Sequence, residues 1–520
     1  MSTETTDVLI LGTGVAGCTA ALAAARAGAH VTLVTRSEDP EASNTFFAQG
    51  GIVGRPPGDT PEALAEDMQK AGNGLCSPEA ILLLAREGPD LVQSLLVEEL
   101  EVPFDRKGKD FHWTLEGGHS IPRVLHVKDE SGIPIERALV AACRKEKNIR
   151  WKTGSTAVDL LTLSHDSLVD SDRYRAPTVI GAYLLERESG AVAPMLSRET
   201  ILATGGLGRV YLHTTNPDGA RGDGIAMARR AGARLLNLEY IQFHPTALFA
   251  PQGRLLLSEA LRGEGARILD ASGREFLREA HPAGELAPRD VVARAIHKRM
   301  LEQDQTHVLL DISHKPADWI RSRFPGMARR CLEQGFDLTA GPVPVVPAAH
   351  YSCGGVAADA DGRTTLAHLK AAGEVSCTGV HGANRLASTS LLEGLLWGWR
   401  AGRAAAREAR EALPLPQVPP WMPEHEPVDP ALIAQDWMVV RHTMWNYVGL
   451  LRSEKRLGRA RRILSELRVE IEDFYRRGTM SDALLGLRNG VQTALAIHRA
   501  AADNRVSRGC HYREENPPVS

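Results

Sequence analysis

Residues 8–17 read Val8-Leu9-Ile10-Leu11-Gly12-Thr13-Gly14-Val15-Ala16-Gly17, an apolar run followed at once by three spaced glycines. The apolar run is typical of a buried β-strand, and the alanine-rich stretch after it predicts a helix over residues 15–27. Glycines at this spacing allow a tight turn, a close approach of the backbone to a pyrophosphate, and packing of the helix on the strand. With a second strand predicted at Val31–Val34, the sequence indicates a βαβ unit that binds a dinucleotide.

A second Gly-rich segment stands near the other end of the chain. Gly373-Glu374 precedes His381-Gly382-Ala383-Asn384-Arg385-Leu386-Ala387-Ser388-Thr389-Ser390-Leu391-Leu392-Glu393, which opens into a predicted helix. Between the two segments, an apolar strand at 200–203 runs into Gly205 and Gly206, where the backbone can approach a ligand. A chain that builds one nucleotide site from both its ends is expected to be a flavoprotein with an inserted substrate domain.

Composition narrows the class of protein. The chain has 520 residues, 43% hydrophobic and 24% charged, and a net charge of -3, which gives no reason to expect binding to nucleic acid. The seven cysteines form no CxxC pair, which argues for reduced thiols and against a metal site. There is no run of eighteen apolar residues and no visible signal peptide. We therefore expect a soluble, cytoplasmic protein with no membrane anchor.

The pattern along the chain predicts an α/β fold with several parts. A discontinuous Rossmann-like domain is expected over residues 1–236 and 351–412, interrupted by an α+β capping domain over 237–350. A proline-rich linker over 413–430 then leads into a C-terminal helical bundle over 431–520. Residues 164–175 are expected to form an exposed loop, and the basic cluster between Arg452 and Arg462 a solvated helix face.

The end of the second strand lacks the acid that usually binds a ribose hydroxyl. Thr35 and Arg36 stand there instead, and Glu38 is out of register. An arginine at this place suggests a 2′-phosphate and hence NADP. The small, polar and Gly-rich loop 44–51 instead suits an extended flavin that reaches beyond the pyrophosphate.

Five further segments carry residue types suited to a small dicarboxylate, together with Arg385: residues 115–120, 242–246, 258–259, 288–290 and 349–351. A dianion that enters a closed site must exchange its water shell for fixed donors, and arginine and neutral histidine supply them. Taken singly, each residue has a simpler interpretation. Arg289 beside Asp290 is equally a surface ion pair, Glu259 a helix-start residue, and Glu116 a solvated loop residue.

Several of these motifs together resemble the succinate dehydrogenase/fumarate reductase flavoprotein superfamily, and within it the aspartate-oxidising members. The resemblance covers nearly the whole chain and is carried by residues 36–51, 203–206, 221–224, 373–393, 446–449 and 507–509. A basic residue at position 36 is also found in the aspartate-oxidising members, so Arg36 no longer argues for NADP.

The resemblance implies that the nucleotide-binding domain holds FAD. The implied contacts are Gly12, Thr13, Gly14, Val15, Ala16, Gly17, Arg36, Asn44, Thr45, Phe46, Phe47, Ala48, Gln49, Gly50, Gly51, Asp223, Glu374, Ser390 and Leu391. In the membrane-bound relatives a histidine of the 44–51 loop carries the flavin covalently. The aligned residue here is Asn44, which cannot form that bond, so the FAD is expected to be non-covalent.

The resemblance also assigns the substrate residues. His244, His350 and Arg385 are implied to bind the substrate carboxylates, with Ser258 close by. Arg289 is implied to shuttle a proton at the substrate carbon, and Glu259 is the candidate carboxylate that relays it. His244 is expected to approach the substrate with Arg289 when the capping domain closes.

Glu116 is the residue that discriminates between substrates. The resemblance implies that it pairs with the α-ammonium group of aspartate, where succinate dehydrogenases carry a neutral residue. The implied reaction is oxidation of L-aspartate to iminoaspartate, with reoxidation by oxygen, giving hydrogen peroxide, or by fumarate. It is the first step of de novo NAD biosynthesis, with a possible transient hand-off to quinolinate synthase.

Two alternatives remain open from the sequence. One is a soluble fumarate reductase or succinate dehydrogenase flavoprotein. The other is a flavoprotein subunit that works only when docked to an iron–sulfur partner at a membrane, against which Asn44 and the absence of cysteine clusters argue.

Overall fold

The computed structural model describes residues 4–411, 414–422 and 426–517. Its strands, in chain order, are β1 Glu4–Leu11, β2 Val31–Val34, β3 Ile52–Val53, β4 Arg106–Lys107, β5 Asp110–Phe111, β6 Val124–Leu125, β7 Ile149–Lys152, β8 Ser155–Thr162, β9 Val179–Glu186, β10 Val192–Leu202, β11 Leu235–Leu236, β12 Ile241–Ala250, β13 Gly253–Leu256, β14 Arg267–Leu269, β15 Val308–Asp311, β16 Val343–Ser352, β17 Gly355–Ala357, β18 Leu369–Ala371 and β19 Ser376–Cys377.

The α-helices frame these strands and supply most of the C-terminal part. In chain order they are α1 Val15–Arg26, α2 Pro61–Ala71, α3 Pro78–Leu91, α4 Gly132–Lys145, α5 Leu163–Asp166, α6 Asp223–Arg230, α7 Glu259–Gly263, α8 Leu277–Ala280, α9 Arg289–Glu302, α10 Ala317–Arg323, α11 Pro325–Glu333, α12 Thr389–Glu408, α13 Pro430–Tyr447, α14 Glu454–Arg477 and α15 Asp482–Asp503.

The largest sheet has seven strands and carries the Gly-rich turn at the end of β1. Its order is β7-β2-β1-β10-β9-β8, and β18 also pairs with β10. β1 pairs in parallel with β2 and β10, whereas β9 and β10 form an antiparallel hairpin. Side chains alternate across a strand, so Leu9 enters one apolar core while Val8 and Ile10 enter another. Both faces of the sheet are therefore buried, which explains why the strand is apolar throughout.

Two helices from opposite ends of the sequence, α1 and α12, pack closely side by side. A Cβ atom on Gly398 would lie 2.4 Å from the Ala16 carbonyl oxygen, and one on Gly402 would lie 2.2 Å from the Ala20 carbonyl oxygen. The glycines of α12 and the alanines of α1 thus allow the two backbones to approach closely. This packing brings the N-terminal ends of both helices to the same cavity.

The inserted part is built on a five-stranded antiparallel sheet in the order β13-β12-β16-β15-β14. In it, His244 of β12 pairs in register with Ala348 of β16, beside an irregularity that follows His244. His350 lies two residues further along β16. The α+β type predicted for the capping domain is confirmed, while its predicted limits at residues 237 and 350 stay predictions.

The C-terminal part is helical, as predicted, and its helices begin at clear capping signals. The side chains of Asp429, Ser453 and Ser481 each accept a hydrogen bond from a backbone N–H in the first turn of α13, α14 and α15, respectively. These helices share apolar residues with the core on one face of the large sheet. The predicted linker 413–430 and the predicted domain 431–520 include residues 413, 423–425 and 518–520, which lie outside the described residues.

Two expectations from the sequence are wrong in part. Residues 164–175 are mostly exposed, but they contain the end of α5 and a 3₁₀ turn at Asp170–Tyr174 rather than only irregular loop. Within the basic cluster, Arg452 is fully buried. It follows the end of α13 and donates to the carbonyl oxygens of Val448 and Gly449, which the helix leaves unsatisfied.

In the described part of the chain, no helix combines the length and the apolar character that a membrane crossing requires.

Candidate active site

One cavity of about 860 Å³ gathers segments from the large sheet, the capping sheet and the first turn of α12. Its size lies within the range of about 300–1,000 Å³ typical of ligand sites. The residues inferred from sequence that line it are Gly12, Thr13, Gly14, Val15, Ala16, Arg36, Asn44, Thr45, Phe47, Ala48, Gln49, Gly50, Gly51, Glu116, Asp223, His244, Ser258, Glu259, Arg289, His350, Glu374, Arg385, Ser390 and Leu391.

Two of the inferred cofactor residues, Gly17 and Phe46, do not line this cavity. A Cβ atom on Gly17 would lie 1.9 Å from the Gly12 carbonyl oxygen, so this glycine allows α1 to pack on the turn after β1. Phe46 packs edge-on against Phe47, with its ring 5.8 Å from the Arg137 guanidinium. Both residues therefore support the loop walls rather than the cavity surface.

The turn between β1 and α1 is shaped for an anionic group. Gly12 has a φ of 117°, and a Cβ atom there would lie 2.1 Å from the Ala203 carbonyl oxygen, so only glycine fits. The residue preceding α1 is Gly14, which provides no capping side chain, and the first turn holds no acidic residue. The positive end of the helix dipole thus faces the cavity uncompensated, as a pyrophosphate requires.

A second helix N-terminus, that of α12, reaches the cavity from the other end of the chain. Ser388 precedes it in the left-handed conformation with a φ of 58°, which is uncommon for a residue other than glycine. Ser390 and Leu391, in the first turn, line the cavity. Two helix dipoles therefore point their positive ends at one ligand space.

Polar atoms left without partners inside the cavity wall fit the implied FAD. Gln49 Oε1 and Thr204 Oγ1 are buried and have no hydrogen-bond partner among the described residues, and both side chains line the cavity. Glu374 accepts from the Ser352 N–H at 3.0 Å, and burial raises its pKa to about 7. Such groups are costly unless a polar ligand satisfies them. The wall is therefore that of a cofactor site rather than of an apolar void.

The far end of the cofactor cavity is held by the C-terminal helices. Asp482, at the start of α15, accepts from Arg36 Nη1 at 3.1 Å and from Arg221 Nη2 at 3.1 Å. Arg221 in turn donates to Asp223 Oδ2 at 2.9 Å, and Asn489 of α15 donates to Asp223 Oδ1 at 2.9 Å. The two inferred cofactor residues Arg36 and Asp223 are thus positioned by α15, a contact that no sequence pattern near either of them reveals.

Arg385 dominates the substrate end because it is buried without an acidic partner. It is 6% exposed, and no carboxylate of the described residues lies within ion-pair distance of it. Its guanidinium donates to Gln242 Oε1 and to Ser390 Oγ, and it lies 4.6 Å from the centre of the Tyr351 ring. Burial, and then the charge of Arg289, lower its pKa. A buried arginine whose partners are all neutral is suited to bind an anionic ligand group.

His244 and His350 face each other across the substrate end, with ring centres 5.5 Å apart. Thr215 Oγ1 lies 2.9 Å from His350 Nδ1, and the N–H of Thr246 donates to His244 Nδ1 at 3.3 Å. Burial, reinforced by nearby arginine charges, holds the pKa of both rings well below the usual range. Both imidazoles are therefore neutral at physiological pH, and each can donate one directed hydrogen bond to a substrate oxygen.

Arg289 and Glu259 form a close ion pair at the edge of the same space. Arg289 Nε donates to Glu259 Oε2 at 2.5 Å, whereas the neighbouring Asp290 pairs with Arg294. Burial alone would raise the pKa of Glu259, but the charges of Arg289 and Arg262 lower it to about 2. Ser258 precedes α7 and caps it through the Ala260 N–H. The structure thus places a protonated arginine and an ionised carboxylate in direct contact beside the cavity.

Glu116 presents a carboxylate to the cavity from the loop between β5 and β6. Its Oε2 accepts from Ser388 Oγ at 2.6 Å, and no lysine or arginine of the described chain pairs with it. The same Ser388 hydroxyl lies 3.3 Å from the N–H of Gly51. Glu116 is therefore tied both to the start of α12 and to the 44–51 loop.

A buried cluster around Arg123, which the sequence did not point to, holds the loop that carries Glu116. Arg123 is fully buried and pairs with both Asp59 and Asp67. Asp67 Oδ2 also accepts from the N–H and the hydroxyl of Ser120, each at 2.8 Å. The contributing segments are far apart in sequence, so only folding reveals the cluster. The loop 116–120 is therefore fixed at both ends, by Ser388 at Glu116 and by Asp67 at Ser120.

Comparison with known families matches nearly the whole chain. The FAD binding domain model matches residues 7–391, and the fumarate reductase flavoprotein C-terminal model matches residues 438–518. Among solved structures, Escherichia coli quinol fumarate reductase FrdA superposes with a TM-score of 0.86 at 26% identity, covering 100% of this chain and 93% of that one. Mycobacterium smegmatis Sdh1 superposes with a TM-score of 0.82 at 30% identity, covering 99% and 90%.

Curated relatives share both the fold and the length of the chain. An L-aspartate oxidase from Yersinia pestis is 43% identical over 99% of this chain and 97% of its own length. One from Halobacterium salinarum is 43% identical over 98% and 97%, and a chloroplastic one from Nicotiana tabacum is 38% identical over 100% and 83%. Because these relatives match nearly the full length of the chain, and because its Gly-rich turn after β1 is shaped for a pyrophosphate, the chain belongs to the L-aspartate oxidase family of the FAD-dependent succinate dehydrogenase/fumarate reductase flavoproteins.

Proposed function

We propose that this protein oxidises L-aspartate to iminoaspartate in a cavity that it shares with FAD. The observation that carries the proposal is a matched set of charges without partners. Among the described residues, the buried Arg385 has no carboxylate within ion-pair distance, and Glu116 has no lysine or arginine within that distance. Aspartate brings the complement of both, because it has two carboxylates and one ammonium group.

The substrate carboxylates are bound by fixed donors. Arg385 is held in place by Gln242 and Ser390 and offers its remaining N–H groups to a carboxylate oxygen. His244 and His350, both neutral, supply directed hydrogen bonds that replace the water lost by the dianion. Because these donors are already ordered, little side-chain entropy is lost when the substrate binds.

Different groups take part in transfer of the hydride and of the proton. FAD, when bound, supplies the redox chemistry by accepting a hydride from the substrate α-carbon. Glu116 holds the ammonium group and so fixes which substrate carbon is presented. Oxidation of the ammonium form also releases one N–H proton, and the carboxylate of Glu116, which we place beside that group, is positioned to accept it. Arg289, paired with Glu259 at 2.5 Å, is positioned to deliver a proton to a second substrate.

For the electron acceptor we propose oxygen or fumarate. Fumarate is a planar dicarboxylate, so Arg385, His244 and His350 can bind it with the same donors that bind aspartate. The Arg289–Glu259 pair would then be the group that delivers a proton to the fumarate carbon. Reoxidation by oxygen gives hydrogen peroxide.

We place the reaction at the first step of de novo NAD biosynthesis and in the cytoplasm. The product is an imine, which water hydrolyses, so direct consumption by quinolinate synthase after a transient hand-off is the economical route. All seven cysteines are buried free thiols, which fits a reducing compartment.

A soluble fumarate reductase is the second candidate, because the solved structures that resemble this chain include quinol fumarate reductases. The test uses purified, FAD-loaded protein under anaerobic conditions. We expect L-aspartate to bleach the yellow colour and succinate to leave it, with hydrogen peroxide formed on admission of air. Bleaching by succinate at a rate equal to or above that of aspartate would overturn the proposal in favour of the second candidate.

A further inference from the structure

A second cavity, of about 680 Å³, lies among three helices and shares no lining residue with the FAD cavity. We call it the basic groove. It is formed by the end of α6 and by facing sides of α14 and α15. Its charged and polar lining consists of Arg229, Arg230, Arg461, Ser465, Arg468, Gln492, His498, Arg499 and Asp503.

Most of the positive charge in the basic groove is not neutralised by the protein. Arg230 pairs with Asp159 at 2.9 Å, and Arg499 lies 3.6 Å from Asp503. In the part of the chain that the structure describes, Arg229, Arg461 and Arg468 have no carboxylate within 4.0 Å. Three arginines from two helices therefore face one concavity without counter-charges.

The electrostatic consequence is visible in Arg229. It is an exposed residue beside Gln492, whose carbonyl oxygen accepts from its Nη1 at 3.2 Å. Partial desolvation, and then the charges of Arg499 and Arg468, lower its pKa. Like charges held together in this way repel each other, and a bound anion removes the repulsion.

The groove is partly ordered before any ligand binds. Arg230 donates to the side-chain oxygens of Asn489 and Gln492 at 2.8 and 2.6 Å, and Arg229 is held by the Gln492 backbone. Fixed guanidinium groups bind phosphate with planar, two-pronged geometry. The apolar lining is limited to Leu495 and Ala502, and the aromatic ring in the lining, that of His498, is buried and lies 2.9 Å from the Leu457 carbonyl oxygen through its Nε2.

We propose that the basic groove binds a compact anion that carries a diphosphate group. A concave site with cations on three converging helices fits a small ligand better than an extended acidic polypeptide. The site stands close to the cofactor. The eight residues of α6 run from Asp223, at the FAD cavity, to Arg230, at the groove, a length of about 12 Å.

The test is titration calorimetry of inorganic pyrophosphate into the full-length, FAD-saturated enzyme at near-physiological salt. FAD saturation keeps the probe out of the cofactor cavity. We expect measurable binding to the wild type and at least about tenfold weaker binding to the double variant Arg461→Gln/Arg468→Gln. The matched control is Lys455→Gln/Arg462→Gln, which removes two positive charges from the same helix outside the groove, and it should bind as the wild type does.

Further ligands separate the possible sources of the diphosphate. ADP should bind no more than about threefold tighter than pyrophosphate, because the aromatic ring that lines the groove, that of His498, is buried and presents no exposed face to the base. No binding to the wild type, or equal loss in both double variants, would overturn the proposal. Binding of a hexaglutamate peptide without binding of pyrophosphate would overturn it as well, and would assign the groove to an acidic protein segment.

Discussion

Two buried arginines, Arg123 and Arg385, differ in whether the protein supplies them with acidic partners. Arg123 is fully buried and satisfied by Asp59 and Asp67. Arg385 is almost as buried, yet it contacts only neutral groups. A buried charge with internal partners stabilises one conformation, whereas one without them represents a cost to the unliganded protein. The paired arginine therefore stabilises the fold, whereas the unpaired arginine is available to bind a ligand.

The largest effect is expected where the unpaired charge is removed. Arg385→Gln should lower kcat/KM for L-aspartate by about 100- to 1,000-fold, because a substrate carboxylate loses its partner. The unfolding temperature of the apoprotein should stay level or rise, since an uncompensated buried charge is gone. Steady-state kinetics and thermal unfolding measure the two. A clear fall in the unfolding temperature would contradict our interpretation that Arg385 has no partner in the unliganded protein.

Arg123→Gln should show the reverse pattern. Asp59 and Asp67 would be left buried without their cation, at a cost of about 3–5 kcal/mol in the free energy of unfolding. Denaturant unfolding of the variant checks this value. The companion variant Arg86→Gln, which removes a more exposed arginine paired with Glu62, should change stability by less than about 1 kcal/mol. Equal effects of the two substitutions would remove the contrast drawn here.

A smaller and more selective effect is expected at Glu116. Glu116→Gln should lower kcat/KM for L-aspartate by about 10- to 100-fold, because the ammonium group loses its carboxylate. Fumarate has no ammonium group, so its reduction should change by less than about threefold. On the same preparation, aspartate oxidation is measured with an oxidised dye as electron acceptor and fumarate reduction with a reduced dye as electron donor. Equal losses for the two substrates would assign Glu116 to loop structure rather than to recognition.

Glu374 is a buried charged group at the cofactor end of the cavity, and it is expected to have the smallest effect of the four on the protein. Burial raises its pKa from 4.5 to about 7, so the folded apoprotein binds a proton that the unfolded chain has released. The resulting stability is complete below pH 4.5 and is lost as the pH rises through 7. The unfolding temperature of the wild-type apoprotein should therefore fall relative to Glu374→Gln by about 2 °C between pH 5 and pH 8. A constant difference would contradict the assignment.

How far the sequence predicts the molecule depends on how local each feature is. The glycines at 12 and 14, the strand before them and the helix after them belong to one continuous segment, and the structure has them as predicted. His244 and His350 were inferred from a resemblance, and the pairing of β12 with β16 brings them together. By contrast, the contacts of Asp482 with Arg36 and of Arg123 with Asp67 join distant segments. No local pattern encodes such contacts, because they arise only when distant segments of the chain fold together.

The salt bridge between Arg36 and Asp482 has a consequence for how the chain can be divided. A fragment that stops after α12 would keep every glycine of the nucleotide fingerprint, yet Arg36, Arg221 and Asp223 would lose the acid and the amide that α15 provides. Without these contacts, the three side chains would no longer be held in a fixed geometry. Helix α15 thus holds cavity-lining residues in place without lining the cavity itself, so the geometry of the cofactor site depends on the C-terminal part of the chain.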